Sequence, residues 1–189
     1  MRKVFIDCGA HCGCSVRKFR TEYKNHEEYE VYCFEANPHL IEHVSKEPNI
    51  IVNNKAVWDT DGESEFFVLK KFTSGGGTLS KYKADHSSLI ETVKIETIDF
   101  SRWLIDTFSA DDEIILKLDI EGAEYRVLEK MIQDESIRYI NKLMGEWHDF
   151  KIGLSRSVSI ALEKQLRDEY GLPFRVWDAI NHNKWRCIG

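Results

Sequence analysis

Residues 3–14 read Lys-Val-Phe-Ile-Asp-Cys-Gly-Ala-His-Cys-Gly-Cys, and the rest of the chain is organised around this stretch. It begins with three β-forming apolar residues, becomes polar at Asp7 and places glycines at Gly9 and Gly13. The pattern of an amphipathic helix follows. A strand, a glycine turn and a helix in this order are typical of nucleotide-binding loops in open α/β folds, where the ligand lies beyond the carboxyl ends of the strands.

The spacing of this motif narrows the choice of nucleotide. It reads Asp7-x-Gly9-x-x-x-Gly13, which is neither the Gly-x-Gly-x-x-Gly of dinucleotide dehydrogenases nor a phosphate loop ending in Lys-Ser or Lys-Thr. A carboxylate at the end of the strand repels a pyrophosphate but attracts an ammonium group, and glycines let the backbone approach a ligand closely. The motif therefore favours a cationic nucleoside without phosphate, such as S-adenosylmethionine. A glycine turn that binds no ligand is the alternative.

An acidic residue also ends the predicted second strand, because residues 30–35 read Glu-Val-Tyr-Cys-Phe-Glu. A βαβ nucleotide site places its ribose-binding carboxylate at this point, since two carboxylate oxygens can accept hydrogen bonds from both ribose hydroxyls. We therefore expect Glu35 to bind ribose; a solvent-exposed strand end is the alternative. At the end of a third strand predicted over 49–57, Asn54 and the backbone of 56–58 are expected to contact adenine.

Three carboxylates cluster after a strand predicted over 113–120. The near-continuous apolar run of this strand indicates burial on both faces, and Asp119, Glu121 and Glu124 follow at its end. Carboxylates this close raise one another's pKa unless a cation compensates, and such clustering is typical of functional sites. Lys117, a metal ion or a substrate is expected to balance the charge.

Length and composition predict a single domain over 1–189, with an irregular loop or lid at about 71–91. The net charge of −6 argues against nucleic acid as a partner. No stretch reaches the ~20 apolar residues of a membrane span, and nothing resembles a signal peptide, so a cytoplasmic protein without membrane contact is expected. Further strands are predicted over 63–70, 92–98, 142–149, 173–179 and 184–188, and helices over 15–25, 38–44, 100–108, 127–132 and 155–170.

Five blocks of the sequence match a known family: residues 5–13, 34–38, 54–57, 97–99 and 116–124. The last block, Leu-Lys-Leu-Asp-Ile-Glu-Gly-Ala-Glu, is close to a family signature. On these blocks the chain resembles the FkbM-type family of S-adenosylmethionine-dependent methyltransferases. The resemblance implies the class I methyltransferase fold, an α/β Rossmann-like fold with helices on both faces of a mostly parallel seven-stranded sheet. Its one antiparallel strand would come from a hairpin at the end of the chain.

The motif and the resemblance together give a set of cofactor-binding candidates: Asp7, Gly9, Ala10, His11, Gly13, Glu35, Ala36, Asn54, Ala56, Val57 and Asp119. The family's usual reaction is O-methylation, which implies a small-molecule or glycan acceptor, with a sugar hydroxyl favoured. A methyltransferase-like module that binds without catalysis is the alternative function, and an NAD-dependent oxidoreductase is less favoured because the third glycine is missing.

The chemistry of the reaction indicates which residues act on the acceptor. A sulfonium methyl group is already activated, so the protein must align the acceptor oxygen and remove its proton. Related O-methyltransferases place a divalent ion at the ends of the fourth and fifth strands, where this chain offers Asp119, Glu146 and His148 to Mg²⁺ or Mn²⁺. Without a metal, Asp119, Glu121 or His148 is the expected general base, with Lys117 as its electrostatic partner.

Overall fold

The computed structural model describes residues 1–69, 77–85 and 90–177. The strands are β1 (Lys3–Cys8), β2 (Tyr29–Phe34), β3 (Ile51–Asn53), β4 (Ala56–Trp58), β5 (Gly62–Leu69), β6 (Ile90–Asp99), β7 (Glu113–Leu118), β8 (Ile140–Gly145) and β9 (Phe174–Val176). The helices are α1 (Cys14–Glu22), α2 (Ile41–Val44), α3 (Lys81–Asp85), α4 (Phe100–Thr107), α5 (Glu124–Gln133) and α6 (Arg156–Tyr170).

A parallel sheet forms the centre of the molecule. Its order is β3-β2-β1-β7-β8-β9, and every neighbouring pair in it is parallel. The order reverses between β1 and β7, and ligands of open α/β sheets bind in the crevice that such a switch point leaves beyond the carboxyl ends. The prediction of a Rossmann-like α/β fold is therefore confirmed, and the switch point lies beside the glycine motif.

Helices cover both faces of this sheet because successive strand side chains point to opposite sides. Val4 and Ile6 of β1 pack with apolar residues of α4, α5 and α6. Phe5, between them, packs with Val16 and Phe19 of α1 on the other face, and its ring stacks on that of Phe19 with the centroids 4.1 Å apart. The burial of strands on both faces explains their near-continuous apolar sequences.

A second, three-stranded sheet has the order β4-β6-β5, in which β4 is parallel to β6 and β5 is antiparallel to it. The prediction of one continuous third strand over 49–57 is wrong, since β3 belongs to the parallel sheet and β4 to this one. The chain changes sheets at Asn54, whose side-chain amide donates to the carbonyl oxygen of Glu35 at 2.7 Å. The interruption therefore ties the end of β3 to the end of β2.

Two predicted segments are only partly within the described residues. In the stretch 71–91, interpreted as an irregular loop or lid, Thr78 pairs with Phe67 of β5 and α3 follows. The strand predicted over 173–179 is observed as β9, parallel to β8. The antiparallel strand predicted over 184–188 and its hairpin turn lie outside the described residues.

Helix boundaries agree with the capping signals of the sequence. The side chain of Asp99 accepts a hydrogen bond from the backbone N–H of Arg102 and so caps α4. Gly171 ends α6 in the left-handed conformation, with φ of 64°. Among the described residues, no helix combines the length and the apolar character needed to cross a bilayer.

Candidate active site

The glycine turn after β1 is packed against the end of β7. Gly9 has φ of 80°, and the backbone N–H groups of Gly9 and Ala10 donate to the carbonyl oxygen of Phe34 at 2.9 and 3.0 Å. A Cβ at Gly9 would overlap the carbonyl oxygen of Asp119. Glycine is thus required both by its left-handed conformation and by the close approach of Asp119.

A buried ion pair lies beneath this turn. Asp7 and Lys117 are directly opposite each other in the register of β1 and β7, and Lys117 Nζ lies 3.0 Å from Asp7 Oδ1. Lys117 Nζ also donates to the carbonyl oxygen of Gly9 at 2.7 Å and lies 3.5 Å from Asp119 Oδ2. The lysine therefore holds the turn and β7 together by its charge and its hydrogen bonds.

The two charges of this pair are buried almost completely, with relative exposures of 0% for Asp7 and 1% for Lys117. Burial raises the pKa of Asp7 even though Lys117 opposes the change. Burial acts to lower the pKa of Lys117, but the Asp7 and Asp119 carboxylates outweigh it and the pKa is raised. The two carboxylates therefore favour the charged form of Lys117, and Asp7 is its main partner.

Glu35 follows β2 and is almost fully buried. Its carboxylate oxygens accept hydrogen bonds from the backbone N–H groups of His11, at 2.6 Å, and Asn37, at 2.8 Å. Burial raises the pKa of Glu35 to about 7, against the opposing effect of these two donors. Each carboxylate oxygen has two lone pairs, so one backbone bond to each oxygen leaves acceptor capacity for further donors.

A cavity of about 170 Å³ lies at the switch point of the parallel sheet. Six of the predicted cofactor-binding residues line it, and these are Gly9, His11, Ala36, Ala56, Val57 and Asp119. The other predicted residues (Asp7, Ala10, Gly13, Glu35 and Asn54) are not among the described lining residues. The structure thus divides the candidates into residues that line this cavity and residues that lie outside its lining.

Sequence reasoning missed several residues that line the cavity: Phe34, Lys55, Phe66, Leu79 and Lys151. Phe66 belongs to β5 and Leu79 follows Thr78, so the second sheet closes one side of the cavity. Only the alternating pattern of β5 was available as a signal, and it does not show which face meets the parallel sheet. The apolar lining of this side therefore depends on packing between the two sheets.

The loop after β7 presents the acidic residues of the cavity. Asp119 and Glu121 line it together with Glu146, which follows β8. Glu121 has φ of 56°, a left-handed conformation that is uncommon for residues other than glycine and is often found at functional sites. Thr78 Oγ1 donates to the carbonyl oxygen of Glu121 at 2.7 Å and so fixes this loop against the second sheet.

His148 lies behind the acidic residues and is 1% exposed. Its Nδ1 is 2.9 Å from Oε1 of the fully buried Glu124, which also accepts from the backbone N–H groups of Ile120 and Gly122. Burial lowers the pKa of His148, but the hydrogen bond to Glu124 and the nearby carboxylates outweigh this effect and raise it. The role of Glu124 in orienting His148 was missed from the sequence, since the two residues belong to different elements.

Ligand atoms of the three predicted metal-binding residues, Asp119, Glu146 and His148, all lie within 4.8 Å of one another. The structure thus brings together one imidazole and two carboxylates from the ends of two neighbouring strands. Lys117, predicted as an electrostatic partner of the general base, reaches Asp119 but is held mainly by Asp7. The arrangement can bind a cation, and it can accept a proton from a group in the cavity.

Comparison with protein families decides the identity of the fold. A family model described as the methyltransferase FkbM domain matches residues 7–169. The chain belongs to the FkbM methyltransferase family. The match runs from Asp7 in β1 into α6 and so includes the glycine turn, Glu35 and the acidic loop after β7. The resemblance predicted from the sequence is therefore confirmed, and the protein is a methyltransferase. Neither a curated protein nor a solved structure matches this FkbM methyltransferase.

Proposed function

We propose that this FkbM methyltransferase transfers the methyl group of S-adenosylmethionine to a hydroxyl group of a small molecule or glycan, with a sugar hydroxyl favoured. The observation that supports this best is the cavity itself. It joins the glycine turn and the loop after β2 on one side to Asp119, Glu121 and Glu146 on the other. A nucleoside cofactor and an acidic reaction site therefore share one space.

The residues around the glycine turn support binding of the cofactor at one end of the cavity, which we call the cofactor end. The free acceptor capacity of Glu35 suits the two ribose hydroxyls, and Ala36, Ala56 and Val57 provide an apolar surface for adenine. The carboxylates of Asp119 and Glu121 lie in the same cavity and favour the positive charge of the sulfonium and the amino group. Asp7 supports this end indirectly, through Lys117 and the carbonyl oxygen of Gly9, to which that lysine donates.

The remaining lining residues support binding of the methyl acceptor at the opposite end of the cavity, which we call the acceptor end. Lys55, Lys151, Glu121 and Glu146 offer both donors and acceptors, which suits an acceptor that carries several hydroxyl groups. In the transfer, a bond forms between the acceptor oxygen and the methyl carbon while the sulfur–carbon bond breaks and its electron pair returns to sulfur. The hydroxyl proton passes to a general base, for which Asp119 and Glu121, two of the carboxylates that line the cavity, are the candidates.

Calorimetry with S-adenosylhomocysteine tests the cofactor assignment. Wild-type protein should bind it, Glu35→Ala should weaken binding at least tenfold, and Glu129→Ala, a change at an exposed site on α5, should leave it unchanged. Methyl transfer is then measured from labelled S-adenosylmethionine to a panel of mono- and oligosaccharides. Absence of binding by the wild type would refute the proposal, and binding without transfer to any hydroxyl acceptor would favour a non-catalytic module.

The general base is tested by substitution at the acidic end. One of the two substitutions Asp119→Asn and Glu121→Gln removes the general base. We expect that substitution to lower kcat by about 10²- to 10⁴-fold. The other substitution should act mainly on KM. Equal and small effects of both changes on kcat would exclude Asp119 and Glu121 as the base.

A further inference from the structure

A nitrogen atom without a hydrogen-bond partner is buried beside the acidic residues of the cavity. His148 Nε2 has no partner among the described residues, although the side chain is almost fully buried. A buried polar atom left unpaired destabilises the folded state, and one explanation for such an atom in a native structure is a bound ion.

The other nitrogen of the ring determines what Nε2 can do. Nδ1 faces Oε1 of Glu124, and both oxygens of that carboxylate already accept backbone N–H groups. A carboxylate in this role is an acceptor, so Nδ1 carries the proton and donates it to Glu124. The neutral tautomer then has its lone pair on Nε2. A histidine that donates to a carboxylate through one nitrogen and offers the other is the usual arrangement of a metal ligand and its supporting residue.

Three carboxylate oxygens surround this lone pair. The distances from His148 Nε2 are 3.3 Å to Glu121 Oε2, 3.7 Å to Asp119 Oδ1 and 3.9 Å to Glu146 Oε1. The distances to Asp119 and Glu146 are too long for hydrogen bonds. Two ligands that each lie about 2.1 Å from one octahedral ion are separated by ~3.0 Å when adjacent and ~4.2 Å when opposite. The three separations from Nε2 fall in this range, and the ligand atoms of Asp119, Glu146 and His148 all lie within 4.8 Å of one another, so these atoms are close enough to share an ion.

The cations already present do not account for the cluster. Lys151 Nζ lies 3.6 Å from Glu146 Oε1 and 3.9 Å from Glu121 Oε2, but about half of its side chain is exposed, so solvent weakens these pairs. Lys117 is shared between Asp119 and Asp7. Lys117 and Lys151 thus face four carboxylates, and the balance of charge favours an additional cation. The four are those of Asp7, Asp119, Glu121 and Glu146.

The loop that carries His148 is fixed by its neighbour. Asp149 is 2% exposed, and its oxygens accept hydrogen bonds from Tyr125 Oη at 2.8 Å and Ser159 Oγ at 3.0 Å. These contacts tie the loop after β8 to α5 and α6. Because Glu124 also belongs to α5, the ring of His148 is held from both sides, and a rigid ligand of this kind loses little entropy when it binds an ion.

We propose that Asp119, Glu146 and His148 bind one divalent cation of the Mn²⁺ or Mg²⁺ class, with Glu121 beside the ion and Glu124 as the residue that orients His148. Carboxylates suit both ions, and the imidazole nitrogen favours Mn²⁺ over Mg²⁺. The role of the ion rests on the proposed function: at the acidic end of the cavity it would bind the acceptor oxygen and lower the pKa of its hydroxyl group.

Direct metal binding tests this inference without any substrate. The full chain, stripped with EDTA and dialysed, is titrated with MnCl₂ while free Mn²⁺ is followed by electron paramagnetic resonance. We expect one Mn²⁺ per chain. Glu146→Gln should weaken binding at least tenfold, and because Glu146 is about half exposed this variant should fold normally. Glu124→Gln should weaken binding about tenfold through the orientation of His148. Glu129→Gln, on the exposed side of the same helix, is the matched control.

The outcomes separate the metal site from the cofactor site. Absence of Mn²⁺ binding by the wild type, or the same affinity in Glu146→Gln as in the wild type, would overturn the inference. A parallel titration with S-adenosylhomocysteine in EDTA reports on the proposed function. If the nucleoside binds and Mn²⁺ does not, only the metal site is refuted. If Mn²⁺ binds and the nucleoside does not, the metal site stands and the proposed function is refuted.

Discussion

The affinity for S-adenosylhomocysteine should fall about tenfold when the pH is lowered from 8 to 6. The reason is Glu35, whose pKa is raised to about 7 by burial. With that pKa, about nine tenths of the carboxyl groups are ionised at pH 8 and about one tenth at pH 6. If only the ionised form accepts hydrogen bonds from both ribose hydroxyls, the apparent dissociation constant increases in proportion to the loss of the competent form.

Calorimetric titrations at pH 6, 7 and 8 and constant ionic strength measure this dependence. Glu35→Gln is the control, since its amide is neutral at every pH. The variant should bind more weakly than the wild type at pH 8, and its affinity should not change with pH. A wild-type affinity that changes less than twofold between pH 6 and 8, or the same pH dependence in Glu35→Gln, would refute the assignment of Glu35 to the ribose.

Ionisation of Glu35 should strengthen nucleoside binding as the pH rises, but it should lower the stability of the protein without ligand. Because the pKa of Glu35 is raised in the folded state, above the ordinary 4.5, the folded protein binds more protons than the unfolded chain between these two values. The free energy of unfolding should therefore decrease as the pH rises from about 4.5 to 7, by up to about 3 kcal/mol. Urea denaturation should show this decrease in the wild type and a smaller one in Glu35→Gln.

Two further predictions concern the support of the glycine turn. Lys117→Met leaves the charge of Asp7 buried without its cation and should lower the free energy of unfolding by about 3–5 kcal/mol, measured by urea denaturation. The double variant Asp7→Asn/Lys117→Met should regain more than half of this loss. An equal loss in the single and the double variant would contradict the pairing of Asp7 with Lys117. Gly9→Ala should cost about 1–3 kcal/mol more than Gly171→Ala. Both glycines have positive φ, but a Cβ at Gly9 would overlap the carbonyl oxygen of Asp119, whereas a Cβ at Gly171 would meet no described atom within 4 Å; equal thermal shifts would contradict this.

The sequence was sufficient for most strands of the parallel sheet and for six residues of the cavity lining. Strand residues buried on both faces are apolar throughout, and the polar residues that follow them must therefore lie at the edge of the sheet. Gly9, Ala36 and Asp119 could be assigned to the cavity for this reason. The periodicity did not show that the chain changes sheets at Asn54, since β3 and β4 have the same apolar character and differ only in their pairing partners.

The relationships between distant elements could not be predicted. Asp7 was expected to face the cofactor, but the register of β1 and β7 places it opposite Lys117, and register between non-consecutive strands is a property of the packed sheet. Whether the aspartate affects the cofactor stays a prediction. The contact of Glu124 with His148 likewise depends on how α5 lies against the loop after β8, and no local pattern indicates it.

The second sheet has a consequence for how the substrate range of such an enzyme can change. Its strands bury a small core of their own, in which Ala56, Phe66, Val68 and Ile95 pack together. Through Phe66 it also forms one wall of the cavity. Substitutions on the Phe66 face of β5, an edge strand of this sheet, would remodel that wall while Gly9 and Glu35 keep their surroundings. We therefore expect β5 to be a place where the range of acceptors of the proposed reaction can change while the strands before Glu35 and Asp119 stay as they are.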